Sequence, residues 1–209
     1  MGTEEQKKSL SKEILSWACC IVSAFLVALL IKYFVFTPTL VQQGSMTPTI
    51  LDGERVFINR LVRTFNMEIK RGDIITLEAP GGIVEDEQIA KYYDVKGLFN
   101  KFEYYVLEVT KKSYIKRVIG LPGEEVYISN GKVYINGEKL DEPYLKEGLE
   151  TPRKGMFYDV KVPEGYVFVM GDNRENSADS RDFGCIPLNK IEGRVSFRMW
   201  PLNKLGKID

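Results

Sequence analysis

The chain predicts a mostly β domain, an irregular sandwich or barrel, carried behind one N-terminal transmembrane helix. Three observations lead there. Residues 14–31 run for eighteen positions without a charge. Beyond them come short apolar or alternating runs separated by turn residues, the pattern of strands. Between 114 and 209 no apolar period of convincing helical length occurs.

The first element is ILSWACCIVSAFLVALLI, and its apolar character resumes after Lys32 with Tyr33, Phe34, Val35 and Phe36. A helix over 14–36 would rise roughly 34 Å, enough to cross a hydrocarbon core of ~30 Å. The stretch is too long for the apolar part of a cleavable leader, and it ends in aromatics rather than small residues. It is apolar all round, unlike the amphipathic helix of a soluble core. Lys32 is placed to snorkel to one interface, and Trp17 marks the other. Lys7, Lys8 and Lys12 precede the segment and only Lys32 follows closely, so the positive-inside bias puts residues 1–13 in the cytoplasm and 37–209 outside. Packing in a lipid-facing helix is the reading for Cys19 and Cys20, with palmitoylation the weaker alternative.

Thr37-Pro38 ends that helix. Strands follow at Gly53–Arg60, Arg71–Glu78 and Ser113–Ile119. Val126–Ser129 and Lys132–Ile135 flank Asn130-Gly131, a hairpin signal, and Asn136-Gly137 makes a second turn. Tyr166–Met170 is a short buried-type strand, and Gly193–Trp200 the last. Residues 81–112 differ. They open on Gly81-Gly82, carry Glu85, Asp86 and Glu87, and are rich in aromatics: Tyr92, Tyr93, Phe99, Phe102, Tyr104, Tyr105. The expectation is an inserted β excursion with its own small core. A lobe over the active site or a second membrane-surface contact are the alternatives.

Composition narrows the chemistry. Lysine plus arginine and aspartate plus glutamate are both 29, so there is no basic excess to bind nucleic acid. Cys185 is the one cysteine outside the apolar run, which leaves the outer domain no disulfide framework and no CxxC metal pattern. No metal or other cofactor is expected. Histidine is absent, and with it every Ser-His and Cys-His mechanism. A serine hydrolase built from this chain must use another base, and lysine is available.

Ser45 lies in Gln43-Gly44-Ser45-Met46-Thr47-Pro48-Thr49, where glycine permits an unusual turn and proline stops a strand. Such a break exposes a hydroxyl for attack, although Gly-Ser in loops is common. Lys116 lies in Tyr114-Ile115-Lys116-Arg117-Val118-Ile119-Gly120-Leu121-Pro122-Gly123. Period-two alternation sets Tyr114, Lys116 and Val118 on one face and Ile115, Arg117 and Ile119 on the other. Both faces are substantially apolar, so one cation must run into or along a hydrophobic surface. A lysine guarding a sheet edge is the bland alternative. A buried amine would have a lowered pKa and could serve as general base. The third element, Gly171-Asp172-Asn173-Arg174-Glu175-Asn176-Ser177-Ala178-Asp179-Ser180-Arg181, follows an apolar strand and is dense in hydrogen-bonding side chains, as in a networked loop. Asp179 and Arg181 can pair there, and Ser177 can bond a nearby amine.

Taken in order, Gly44-Ser45-Met46-x-Pro48-Thr49, Arg71-Gly72-Asp73, the Tyr114–Gly123 run and Gly171-Asp172-Asn173-Arg174-x-x-Ser177-x-Asp179-Ser180-Arg181 resemble the boxes of bacterial type I signal peptidases, over residues 14–200. The resemblance implies a serine/lysine-dyad endopeptidase with Ser45 as nucleophile and Lys116 as general base. It implies that Ser177 orients the amine and that Asp179 and Arg181 brace the site. The Ser45 N–H would be one oxyanion donor. Val41, Ile50, Val56, Tyr114 and Ile115 fall where that family lines shallow pockets for small side chains, and Gln43 and Met46 beside the nucleophile are counted with them. The implied substrates are secretory preproteins, cut after an Ala-x-Ala pattern through an acyl-enzyme, at the surface of the cell membrane. Two departures stand out. Gln43 occupies a position where many relatives have serine or glycine, which leaves the second oxyanion donor open, and 81–112 is longer than expected. A self-cleaving repressor-type peptidase is the nearest rival, but the apolar segment argues against it. An inactive membrane-anchored adaptor is the rival of another class.

Overall fold

The computed structural model describes residues 2–84, 88–92, 94–108 and 111–208, the side chains of 2–11 and 84 excepted. The acidic cluster Glu85–Glu87, Tyr93 and the side chains of Lys7 and Lys8 therefore lie outside the described residues.

The first helix, α1 (Gly2–Phe34), includes one stretch, Lys12–Phe34, long and apolar enough to cross a membrane. It ends two residues before the expected boundary at Phe36. The chain there is drawn into a strand, β1 (Phe36–Leu40), paired antiparallel with β2 (Arg55–Asn59). Pro38 is tolerated because β1 is an edge strand. The first carbonyls freed at the helix end find side-chain donors: Thr37 Oγ1 to Lys32 O at 2.8 Å, Arg63 Nη2 to Tyr33 O at 3.0 Å, Thr64 Oγ1 to Phe34 O at 2.9 Å. The last two donors sit on a short helix, α2 (Leu61–Thr64).

The remaining strands are β3 (Ile74–Glu78), β4 (Gly82–Val84), β5 (Ile89–Lys91), β6 (Ser113–Gly120), β7 (Glu125–Ser129), β8 (Lys132–Ile135), β9 (Glu138–Lys139), β10 (Asp159–Lys161), β11 (Tyr166–Met170), β12 (Ile186–Pro187), β13 (Ile191–Trp200) and β14 (Gly206–Lys207). One eight-stranded antiparallel sheet has the order β1-β2-β13-β3-β6-β11-β12, with β14 added on β13. Its longest strand, β13, carries register breaks at three places, and such bulges bend and twist a sheet. A second sheet runs β10-β7-β8-β9. Its tight β7–β8 turn uses Asn130 and Gly131 at φ 48° and 69°, the left-handed pair that a two-residue hairpin demands. The class is mostly β, as the sequence predicts.

Three apolar clusters hold the domain. Ile119, Phe168 and Met170 meet Val126, Ile128, Val133 and Val160 between the two sheets. Ile75, Leu77, Val118, Val167 and Val169 pack on the face that also receives Ala90 and Phe183. Val41, Met46, Ile50, Val56, Ile58, Ile74 and Val195 fill the end of the large sheet under the Ser45 loop. The 81–112 stretch departs from the expected β excursion. Among its described residues only β4 and β5 are strands, and a short helix, α3 (Leu98–Phe102), runs into one π-helical turn, Glu103–Leu107. Among the described residues it shows no core of its own: Ala90 packs into the main one and Ile83 joins two clusters. Among the described residues three further helical turns complete the domain: α4 (Ser180–Phe183) and two 3₁₀ turns, Leu188–Lys190 and Leu202–Lys204.

Candidate active site

Ser45 stands on the loop that joins β1 to β2. Val41 and Gly53–Glu54 pinch the base of that loop through backbone bonds of 2.8 and 3.0 Å. Met46 and Ile50 are fully buried plugs beneath it, while Ser45 itself is half-buried at the surface. The loop is held from the other side by the segment after β11. Asn173 N–H donates to Ser45 O at 3.0 Å, its side-chain amide to Gly44 O at 3.0 Å, and Thr49 Oγ1 to Asp172 Oδ2 at 2.5 Å. A side chain at Gly171 would collide with Ser45 O and Ser177 Oγ, so only glycine permits this approach.

Lys116 lies on β6, opposite Ile75 of β3. It is 3% exposed. Its Nζ is 2.9 Å from Ser45 Oγ and 3.0 Å from Ile115 O, and 5.1 Å from the Tyr114 ring centroid. Burial pushes the Lys116 amine down to about 8 from 10.5. The carboxylates of Asp179 and Asp172 oppose that fall, while the cations Lys154 and Arg181 add to it. The lysine is therefore not a sheet-edge guard: β6 is interior, between β3 and β11.

Two fully buried ion pairs frame the pair. Asp179 caps α4 and takes Arg181 on both oxygens, Nε–Oδ1 at 2.8 Å and Nη2–Oδ2 at 2.7 Å; Gly171 N–H also donates to Oδ2. Burial alone would raise the Asp179 carboxyl, but the guanidinium and the Gly171 amide outweigh it and hold it below the usual carboxylate range. Arg117 grips Asp172 the same way at 2.9 and 2.8 Å. Arg174, buried with its guanidinium on Glu142, also donates to Gly171 O at 3.1 Å. Bidentate pairs such as these fix a loop in place as well as satisfy charge.

An open cleft of about 530 Å³ passes the Ser45 hydroxyl. Val41, Gln43, Met46, Tyr114 and Ile115 line it, with Arg60, Glu108, Lys111 and Glu192 further along. Ile50 and Val56 do not. Both are wholly buried in the cluster behind the wall, where they back Met46 and Val41. Gln43 sits at φ 84° with its backbone N–H committed to Asp52 Oδ1 at 2.8 Å. Its backbone is thus spent, and its exposed side chain faces the cleft. Ser177 is near but not joined to the amine. Its buried Oγ turns to the Asp179 carboxylate and helps hold that carboxyl low without making a hydrogen bond of ordinary geometry, while its carbonyl accepts from Lys154 Nζ. Thr49, Arg117, Asp172 and Asn173 stand in the boxes that carry the resemblance, but the sequence assigned them no role. Arg117 had a further signal, a second cation in a run whose two faces are both apolar.

A half-buried hydroxyl against a buried amine, on a β domain behind an apolar helix, falls in the hydrolase class, and the relatives of this chain are peptidases. The family Signal peptidase, peptidase S26 matches residues 14–200. The chain is 39% identical to Signal peptidase I T of Bacillus subtilis (strain 168), over 98% of this chain and 94% of that protein. It is 37% identical to Signal peptidase I of Bacillus licheniformis, over 99% and 100%, and 34% identical to Signal peptidase IB of Staphylococcus aureus (strain COL), over 93% and 94%. A crystal structure of a signal peptidase I from Enterococcus faecalis V583, 28% identical, covers 61% of this chain and 96% of that chain with a TM-score of 0.40. The chain belongs to the signal peptidase family, peptidase S26.

Proposed function

We propose that this protein removes signal peptides from secretory preproteins at the cell membrane, cutting after small residues of an Ala-x-Ala pattern, by a Ser45/Lys116 dyad through an acyl-enzyme. One observation carries the reading: a buried lysine amine, its pKa lowered to about 8, stands 2.9 Å from a serine hydroxyl in a chain without histidine.

Neutral Lys116 takes the Ser45 proton as Oγ bonds to the scissile carbonyl carbon. The carbonyl oxygen becomes an oxyanion facing the Ser45 N–H, which has no acceptor among the described residues. The Gln43 backbone is occupied, so its side-chain amide is the candidate second donor. Loss of one such donor typically costs about 10²–10³ in rate. The Lys116 ammonium protonates the leaving amine, the mature protein departs, and the signal peptide stays as an ester on Oγ. Lys116 then deprotonates a water that cleaves the ester and returns the proton to Oγ. Asp179, Arg181 and Ser177 act through Lys116 by holding its surroundings. Tyr114, Ile115 and Val41 narrow the cleft to small side chains.

The anchor keeps this site at the bilayer surface, and the lysines before it orient residues 1–13 to the cytoplasm and 37–209 outside. Full-length protein in detergent, given a preprotein, should release a mature product whose N-terminus follows a small residue. Ser45→Ala and Lys116→Ala should each abolish release, and cleavage retained by either refutes the dyad. Protease added to spheroplasts should digest 37–209, and complete protection would contradict the orientation.

A further inference from the structure

The cleft that passes Ser45 has two walls with a common direction. One is Thr39–Gln43, at the end of β1, and the other is Lys111–Lys116, at the start of β6. Both set out from the anchor. β1 (from Phe36) follows directly on α1 (to Phe34). The approach to β6 is tied to the last turns of α1 by Lys32, which pairs with Glu108 at 3.4 Å and donates to Leu107 O at 3.3 Å. Tyr104 OH, donating to Glu78 Oε1 at 3.3 Å, pins the same approach to β3. The cleft thus has an anchor end and a dyad end.

The anchor end is rich in charge, and the charges differ in their freedom. Arg60 holds Glu108 at 2.5 Å, and Lys111 holds Glu192 at 2.5 Å with both side chains 4% exposed. Glu192 also accepts from Ser113 Oγ at 3.0 Å. None of these groups can turn to a substrate without abandoning a partner out of water, which is costly. Lys112 can. It lines the same stretch, is exposed, and has no carboxylate partner among the described residues. Its root is fixed, because Ala79 N–H donates to Lys112 O at 2.9 Å. With Lys32 included, four cations stand against the two carboxylates Glu108 and Glu192 here, so the field at this end favours an anion.

In the signal-peptidase reading, on which this inference rests, the part of the substrate before the cut comes from the membrane. It therefore enters at the anchor end and runs past Lys112 to reach Ser45. A strand rises ~3.3 Å per residue, which sets Lys112 about 13 Å from Lys116, or about four residues of an extended substrate. The flexible lysine stem extends that reach. We propose that Lys112 is a specificity-determining residue that favours a carboxylate and disfavours a cation at roughly the fourth to sixth residues before the scissile bond.

The test gives full-length protein in an uncharged detergent a set of internally quenched peptides with an Ala-x-Ala cut. They are alike except for Glu, Gln or Lys at the fourth, fifth or sixth residue before it. The readout is the ratio of kcat/KM between peptides on one preparation, which cancels any change in folded fraction. With the parent protein, at one or more of these positions, Glu should be cut about threefold faster than Gln and Lys about threefold slower, the size of a partly exposed charge contact. Salt at about 1 M should flatten both ratios. Lys112→Gln should bring them close to unity, and Lys112→Glu should invert them. Parent ratios near unity at all these positions, or ratios that Lys112→Gln leaves in place, overturn the proposal, while cutting itself upholds the peptidase. If Lys112→Glu acts equally on charges placed after the cut, a general field replaces the contact and the proposal falls too. Failure of the parent to cut any of the peptides would sink the signal-peptidase reading, and this inference with it.

Discussion

The pH profile tests the central chemistry most directly. Lys116 titrates at about 8 rather than 10.5, because burial removes the ammonium from water. At pH 7 about one site in ten is then neutral, against about one in three thousand for a lysine at its ordinary value, a gain of roughly 300-fold in competent base. For full-length protein in detergent, kcat/KM on an internally quenched signal-sequence peptide should rise about tenfold per pH unit below 8 and level off above it. Lys154 supplies a second handle. Its charge depresses the Lys116 amine, so Lys154→Met should move the rising limb to higher pH. A flat profile between pH 6 and 10, a midpoint near 10.5, or a Lys154→Met limb displaced to lower pH would refute the argument that burial readies the base.

Four further outcomes follow. The unfolded chain binds a proton at Lys116 that the folded chain has released between about 8 and 10.5, so stability rises with pH across that window and the cost is full below it. Lys116→Met should thus raise the melting temperature at neutral pH, by up to ~3 kcal/mol in free energy; a melting point at or below the parent's contradicts this. Asp179→Asn leaves the wholly buried Arg181 guanidinium short of its counter-charge, and urea unfolding should show a loss of about 3–5 kcal/mol. Gly171→Ala drives a methyl into Ser45 O and Ser177 Oγ, so turnover should fall by about 10² or more as the hydroxyl shifts; parent-level turnover would show that the two loops can part freely. Ser177→Ala removes a buried hydroxyl that only helps hold the Asp179 carboxyl low, without a hydrogen bond of ordinary geometry, so stability should fall by no more than about 1 kcal/mol. If Ser177 orients the amine in the substrate complex, kcat falls while KM stays.

Much of the architecture was legible in residue order. The charge-free run from Ile14 announces a membrane-length helix, and Asn130-Gly131 announces a hairpin because only residues at ease with positive φ close a two-residue turn. Tyr166–Met170 is apolar at each position and is a strand buried on both faces. The segment 98–107 was misjudged because its aromatics suit a strand as readily as a helix, and its partners Glu78, Glu192 and Arg60 are distant in sequence. Phe36 was assigned to the helix because it continues an apolar run. It lies instead opposite Asn59 in the β1–β2 ladder, a pairing that periodicity does not register.

The site divides the same way. Ser45, Lys116, Ser177, Asp179 and Arg181 could be picked out from motifs, since each motif is a short local pattern. Which wall touches the cleft could not, and Ile50 and Val56 turned out to lie behind it. The pairing of Arg117 with Asp172, the hold of Asn173 on the Ser45 loop and the commitment of the Gln43 backbone N–H to Asp52 belong to the same kind. Local order by itself determined the membrane segment, the β class, the family and the absence of an imidazole base. The tertiary structure alone decided that an amine and a hydroxyl 71 positions apart share a hydrogen bond, and that the amine is dry enough to be neutral near pH 8. Proximity and desolvation are properties of the packed volume around an atom, and residues far apart along the chain supply most of that volume.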